Sequence, residues 1–125
     1  MFMEQKRTLS LLVDNTPGLL SRVAGLFSRR GYNIETITAG VTADPRYTRM
    51  TVVLYCSDEM ILEQIKKQLA KLVDVRDIKE LKPDESVRRE LMLVKIRVNE
   101  NERRNVIAIS DVFRGRIVDV GQESL

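Results

Sequence analysis

The sequence predicts an α+β fold in which a four-stranded antiparallel sheet carries two helices on one face. Apolar residues alternate with a period of two in four segments and follow a helical period in two longer segments. These segments come in the order β-α-β-β-α-β, a split β-α-β unit. A polar linker and a further β-α-β pattern follow. We therefore expect one domain over residues 1–82 and an incomplete second α+β domain over residues 83–125.

The first half of the unit is a strand, a turn and a helix. Residues 7–13 alternate between apolar and mixed positions, as in a half-buried strand. The turn cluster at residues 14–18 contains Asx and Thr side chains that can cap a helix, and Pro17 suits the first helical position. The helix predicted over residues 18–30 has one apolar stripe, and Gly31 suits its C-terminal end.

The second half contains two strands, a helix and a last strand. Residues 32–42 and 47–56 predict strands that a short turn makes antiparallel. Ser57 or Asp58 can cap the second helix, and residues 73–81 predict the fourth strand. The whole unit therefore has the element order of a ferredoxin-like domain.

The remainder of the chain repeats the first half of this pattern. Residues 82–86 form a polar linker, and residues 90–98 alternate again. A helix is predicted over residues 100–114 and the beginning of a strand over residues 116–120. Two strands alone bury too little surface to be stable in water. We therefore expect this segment to be a truncated domain or one that a partner completes.

The composition argues against catalysis. The chain contains no histidine, which excludes Ser-His and Cys-His nucleophile systems and removes the commonest general base. Cys56 is predicted on the strand face shared with Met50, Val52 and Leu54, where it is a core residue. The Asp and Glu spacings match neither a calcium loop nor a paired carboxylate site. We therefore predict no catalytic residue and no metal site.

Charge and cysteine content favour a cytoplasmic protein. A single cysteine allows no internal disulfide, which is typical of a reducing compartment. The start of the chain carries Glu4, Lys6 and Arg7 and lacks the apolar region of a signal peptide. No apolar run approaches the ~18 residues of a membrane span. The net charge of +3 is too small to indicate a nucleic-acid partner.

The turn before the first helix is the best candidate site. A helix N-terminus offers unpaired N–H groups and a positive dipole end to an anion, and Gly18 allows a ligand carboxylate to approach closely. Asn15 and Asn33 offer amide oxygens that can accept hydrogen bonds from an ammonium group. These groups predict a cradle for an α-amino acid. The residues alone leave open the alternative that Asn15 and Gly18 only form and cap the turn.

A longer motif surrounds this turn. The run Asn15-Thr16-Pro17-Gly18-Leu19-Leu20-Ser21-Arg22-Val23, continued by residues 25–35, resembles the ACT domain of the acetolactate synthase (acetohydroxyacid synthase) small subunit. Further similar segments occur at residues 49–51, 62–65, 67–69, 71–75, 89–95 and 113–120. The resemblance spans nearly the whole chain. Members of that family continue past the position of Leu125 through a complete second domain, which puts functions of that domain in doubt here.

The resemblance implies a regulatory subunit without catalytic activity of its own. Such a subunit activates a thiamine-diphosphate-dependent catalytic large subunit in branched-chain amino-acid biosynthesis and confers feedback inhibition by valine. Any thiamine diphosphate, Mg²⁺ and FAD would then belong to the large subunit, and the chain itself would hold no cofactor.

The resemblance also implies where the effector binds. In that family the effector lies between the two ACT domains of a homodimer, at the turn after the first strand of one chain and the second strand of its neighbour. Carried over by position, the effector-binding residues are Asn15, Gly18, Leu19 and Leu20 on one side and Asn33 and Ile34 on the other.

Two other classes of protein remain as alternatives. An RNA-binding module of the RRM kind has the same split β-α-β sheet. The third strand would present a possible stacking face made of Tyr47, Arg49, Thr51, Val53 and Tyr55. However, the RNP1 pattern is absent and aromatic residues make up only 5% of the chain, so this alternative is less favoured. The other alternative class is a small enzyme, such as an isomerase, that uses backbone groups and arginine clusters.

Overall fold

The computed structural model describes residues 5–125, so Glu4, on which the expectation of no signal peptide partly rests, lies outside the described residues. Two compact units follow one another along the chain. The first unit ends at Arg88 and the second runs over Arg89–Leu125.

The described part of the first unit, residues 5–88, contains four strands and two helices in the predicted order. They are β1 (Lys6–Asp14), α1 (Leu19–Arg29), β2 (Ile34–Val41), β3 (Tyr47–Tyr55), α2 (Glu59–Ala70) and β4 (Val75–Glu80). The strands form one sheet in the order β2-β3-β1-β4, and every neighbouring pair is antiparallel. The predicted ferredoxin-like arrangement is therefore confirmed.

The core lies between one face of the sheet and the two helices. Leu9, Leu11 and Val13 of the central strand β1 are completely buried, as their alternation predicts. The rest of the core comes from β3, α1 and α2: Met50, Val52, Leu54, Cys56, Leu19, Val23, Leu26, Phe27, Leu62, Ile65 and Leu69. Both helices therefore cover the same face, and Cys56 is a core residue as expected.

The start of α1 differs from the prediction. The helix begins at Leu19, so Pro17 is not its first helical residue. Gly18 occupies the N-cap position with φ 77° and ψ 1°, in the left-handed region, and no side chain caps the helix. The hydroxyl group of Thr16, which was expected to be available for capping, bonds instead to the carboxylate of Asp74 at 3.0 Å. A contact remote in sequence thus replaces the local cap.

The second unit contains one helix, α3 (Glu100–Val112). A capping box begins it, in which Asn99 accepts from the Glu102 N–H and the Glu102 carboxylate accepts from the Asn99 N–H. Within Arg89–Leu125, the two strands predicted beside α3 are reduced to one antiparallel bridge between Arg97 and Ser124. A strand needs a neighbour for its backbone groups, and the segment predicted at residues 116–120 does not pair with the one at residues 90–98.

A group of ion pairs ties α2 to the sheet at the ends of β1 and β4. The Glu80 carboxylate accepts from Arg7 Nε at 2.9 Å and from Lys66 Nζ at 3.2 Å. Only 15% of the Glu80 side chain is exposed. Burial alone would raise the pKa of Glu80, but the hydrogen bonds from Arg7 and Lys66 hold that pKa below its ordinary value. The charged form of Glu80 therefore stabilises the fold.

The ion pairs of Glu80 predict that the folded protein loses stability in acid. Because the pKa of Glu80 is lowered in the folded state, its contribution is complete above the unfolded pKa of about 4.3 and is lost as the pH falls through the folded pKa. Glu80→Gln should therefore lower the free energy of unfolding at pH ~7 by more than at pH ~3, in urea titrations at both values. Asp84→Asn in the exposed linker is the control and should change little. A Glu80→Gln effect of equal size at both pH values would contradict this assignment.

Candidate functional site

The turn between β1 and α1 is fixed by bonds to the turn between β2 and β3. The Asn15 backbone N–H donates to the carbonyl of Arg46 at 2.8 Å, and its side-chain Nδ2 donates to the carbonyl of Pro45 at 3.2 Å. These two bonds orient the amide group. Within residues 5–125 no donor bonds to Asn15 Oδ1, so this oxygen keeps its capacity to accept a hydrogen bond from a ligand.

Gly18 leaves the beginning of α1 open to an anion. No side chain caps the helix, and its first turn contains no acidic residue. The positive end of the helix dipole is therefore not balanced by a carboxylate of the helix itself. A Cβ atom at position 18 would lie 3.1 Å from Arg22 Nη1 in a left-handed conformation, so both sterics and backbone favour glycine here.

The two leucines of the predicted site have different roles. Leu19 is 7% exposed, and its side chain belongs to the hydrophobic core. It can therefore contribute only backbone groups to a ligand. Leu20 is 54% exposed and presents apolar surface beside the open helix start. Of the two, Leu20 is the one whose side chain can contact a small apolar ligand.

Asn33 and Ile34 lie at the opposite end of the sheet from the turn. Ile34 begins β2 and is paired with Leu54, whereas Asp14 at the end of β1 is paired with Tyr47. These pairings are separated along β3 by about 23 Å at ~3.3 Å per residue. The predicted residues therefore do not form one site within a single chain. A site that uses both groups requires two chains, as the resemblance implies.

Sequence reasoning missed the charged groups that support the turn. Arg22 Nε donates to Asp74 Oδ2 at 2.7 Å, and Arg76 bonds to both oxygens of Asp14 at 2.8 Å. The hydrogen bonds from Arg76 hold the pKa of Asp14 below its ordinary value, against the opposing effect of burial. Asp74 and Arg76 lie far along the chain from the turn, so no local pattern could have found them.

The described residues form neither a metal-binding group nor a membrane-spanning helix. Within residues 5–125 no group of three or more His, Cys, Asp or Glu side chains is placed to hold a metal ion. Over the same residues, no helix has the length and apolar character of a membrane span.

The ferredoxin-like sheet and the open glycine turn define an ACT domain. Residues 9–77 match the family described as the AHAS small subunit-like ACT domain. Residues 89–125 match the family described as the small subunit of acetolactate synthase. The two matches fall in the first and the second unit respectively, and together they cover most of the chain.

Individual relatives agree with these matches. The probable acetolactate synthase small subunit of Methanothermobacter thermautotrophicus is 49% identical over 94% of this chain and 70% of the relative. The acetolactate synthase isozyme 3 small subunit of Escherichia coli is 51% identical over 92% of this chain and 70% of the relative. The crystal structure of the Thermotoga maritima small subunit has a TM-score of 0.77 at 31% identity and covers 96% of this chain and 74% of that one. The chain therefore belongs to the acetolactate synthase small-subunit family.

Proposed function

We propose that this chain is a non-catalytic regulatory subunit that activates the catalytic large subunit of acetolactate synthase and binds valine for feedback inhibition. One observation supports the ligand class most directly. Helix α1 begins at a left-handed glycine with no capping side chain and no acidic residue in its first turn. The Leu19 N–H donates to the Thr16 carbonyl at 3.4 Å, which leaves the N–H groups of Leu20 and Ser21 to bind the carboxylate of a small molecule. The names of the relatives support the large subunit as the partner.

The described groups suit an α-amino acid. The ligand carboxylate would bind the N–H groups of Leu20 and Ser21, and its ammonium group would donate to Asn15 Oδ1 and to Asn33 of the partner subunit. The exposed side chain of Leu20 offers an apolar surface for the isopropyl group of valine. In this arrangement Ile34 of the partner subunit would close the apolar side of the site.

The sheet has an edge that can form the required homodimer. β2 is an edge strand, and among the described residues its outer side has no strand partner. If two copies of β2 pair antiparallel about a two-fold axis, the start of one β2 lies beside the end of the other. That end of the sheet carries the turn at Asn15–Gly18, because Val41 and Asp14 flank the same end of β3. Pairing would also cover Val41, which is 60% exposed.

A ligand at the junction of two subunits can regulate the whole assembly. Valine would bind best to the arrangement of the dimer that completes its site, so its binding would shift the equilibrium between arrangements. The large subunit, which would hold thiamine diphosphate, Mg²⁺ and FAD, would respond to that shift. Catalysis would then depend on valine although the regulatory subunit would supply no reacting group.

An assay of the purified components tests this function. The chain should co-purify with the large subunit, increase its rate of acetolactate formation several-fold, and make that rate sensitive to valine. Asn33→Ala is the matched variant, which should still activate the large subunit but lose the sensitivity to valine. Failure to form the complex would contradict the proposal, and turnover by the isolated chain would favour the small-enzyme alternative.

The open face of the sheet does not favour RNA binding. Arg49 Nη1 donates to the hydroxyl group of Ser10 at 3.1 Å, which holds this side chain against the sheet. Both aromatic rings of β3 are covered by cations, Tyr55 by Lys6 at 5.6 Å and Tyr47 by Arg46 at 5.3 Å from the ring centroids. Bases would have to displace these contacts in order to stack.

A further inference from the structure

We propose that Thr16, Arg22 and Asp74 form a clamp that keeps the start of α1 open, and that Arg22 and Asp74 are positioning residues of the valine site. The clamp has four hydrogen bonds. Three of them each join a different pair of these side chains, and the fourth joins Arg22 to the backbone of the turn. The role of the clamp in valine binding rests on the proposed function. The clamp itself rests on contacts within the first unit and can be tested without a ligand.

The Asp74 carboxylate is the centre of the clamp. Its Oδ2 accepts from Arg22 Nε at 2.7 Å and its Oδ1 accepts from the Thr16 hydroxyl group at 3.0 Å. Arg22 closes the ring, because its Nη2 donates to Thr16 Oγ1 at 3.2 Å. Arg22 Nη1 also donates to the carbonyl of Pro17 at 3.3 Å. The Asp74 side chain is 15% exposed and that of Arg22 is 44% exposed, so the carboxylate is the better shielded end of the ion pair.

The clamp prevents the conformation that the local sequence favours. In that conformation Thr16 would be the N-cap residue, Pro17 the first helical residue, and Gly18 would have a negative φ. The Thr16 oxygen would then accept from the first N–H groups of the helix, and the turn would be closed by its own side chain. In the structure this hydroxyl group is held by Arg22 and Asp74 instead. Gly18 takes a φ of 77°, and the helix begins at Leu19.

Gly18→Ala is therefore a reporter of the clamp. In the clamped protein alanine would be strained at this positive φ and would crowd Arg22 Nη1, so the melting temperature should fall by about 5 °C. In an Asp74→Ala background the turn should relax to the self-capped form, in which residue 18 is helical. There, Gly18→Ala should leave the melting temperature unchanged or raise it.

The chain supplies a matched control at the other end of α1. Gly31 has a φ of 70°, and a Cβ atom there would meet nothing within 4 Å. Gly31→Ala should lower the melting temperature equally in both backgrounds, because Gly31 makes no contact with the clamp. Adding Thr16→Val to the Asp74→Ala background should restore the destabilising effect of Gly18→Ala, since valine has no oxygen with which to cap the helix.

Calorimetry with valine on the full chain completes the test. We expect Asp74→Ala to weaken valine binding about tenfold or more. In the self-capped turn the helix would begin earlier, and the N–H groups of Leu20 and Ser21 would donate to the carbonyl groups of Thr16 and Pro17 instead of to the ligand carboxylate. An equal effect of Gly18→Ala in both backgrounds would overturn the clamp. The expected melting pattern with unchanged valine affinity in Asp74→Ala would overturn the positioning role. The same pattern with no valine binding by the unaltered chain would support the clamp and overturn the proposed function.

Discussion

Replacing Gly18 by aspartate is expected to abolish valine binding while leaving the fold intact. Asp and Asn tolerate the left-handed conformation better than other L-residues, so the φ of 77° can be kept. The new carboxylate would lie beside Arg22 Nη1 and the open helix start, where the ligand carboxylate must bind. Like charges placed together at a binding site cost several kcal/mol, and about 3 kcal/mol lowers the affinity more than a hundredfold.

Gly18→Asn is the matched control, because asparagine has nearly the same size and backbone tolerance but no negative charge. We expect it to weaken valine binding much less than Gly18→Asp in isothermal titration calorimetry. Circular dichroism and thermal melting should show that both variants are folded. Equal affinities for the two variants would mean that the ligand carboxylate does not bind at the beginning of α1.

Two variants that each fail to bind valine should restore valine binding when they are mixed. Gly18→Asp damages the turn and Asn33→Ala damages the β2 side, and these groups lie at opposite ends of one sheet. A mixed dimer holds one site with both defects and one site with none. Random pairing makes half of the dimers mixed, so about a quarter of the sites should bind valine. Calorimetry after subunit exchange measures this fraction directly.

The matched control mixes two variants of the same side, Gly18→Asp and Asn15→Ala. Each site of that mixed dimer contains one damaged turn, so no binding should return. Binding by the first mixture and not by the second would establish that the site is shared between chains. Restoration in both mixtures, or in neither, would contradict a site built from one turn and the partner's second strand.

Local sequence patterns determine most of the first unit. Alternation places Leu9, Leu11 and Val13 on one face of β1, and these side chains are completely buried. The N-cap of α2 is Asp58, one of the two residues expected there. Such features depend on residues close together in the chain. For this reason period and capping rules are sufficient to find them.

Contacts between distant residues explain what sequence patterns missed. The predicted side-chain cap of α1 was wrong because Thr16 bonds to Asp74, 58 residues further along. In the second unit, alternation predicted a strand that includes Met92 and Val94, yet these side chains are 77% and 62% exposed. Alternation shows which face a strand would bury but supplies no neighbouring strand. Of the six site residues, Asn15, Gly18 and Asn33 were predicted from their chemistry and Leu19, Leu20 and Ile34 from the resemblance. Their role in binding valine stays a prediction.

The single thiol of the chain has a practical consequence for measuring motion. Cys56 is 6% exposed, and its Sγ lies 3.1 Å from the carbonyl oxygen of Asp58 at the N-terminus of α2. A reagent can reach this sulfur only when the junction of β3 and α2 opens. The rate of thiol modification therefore counts openings of the native protein at one known place. Cys56 is thus a natural reporter of local opening, and no engineered label is required.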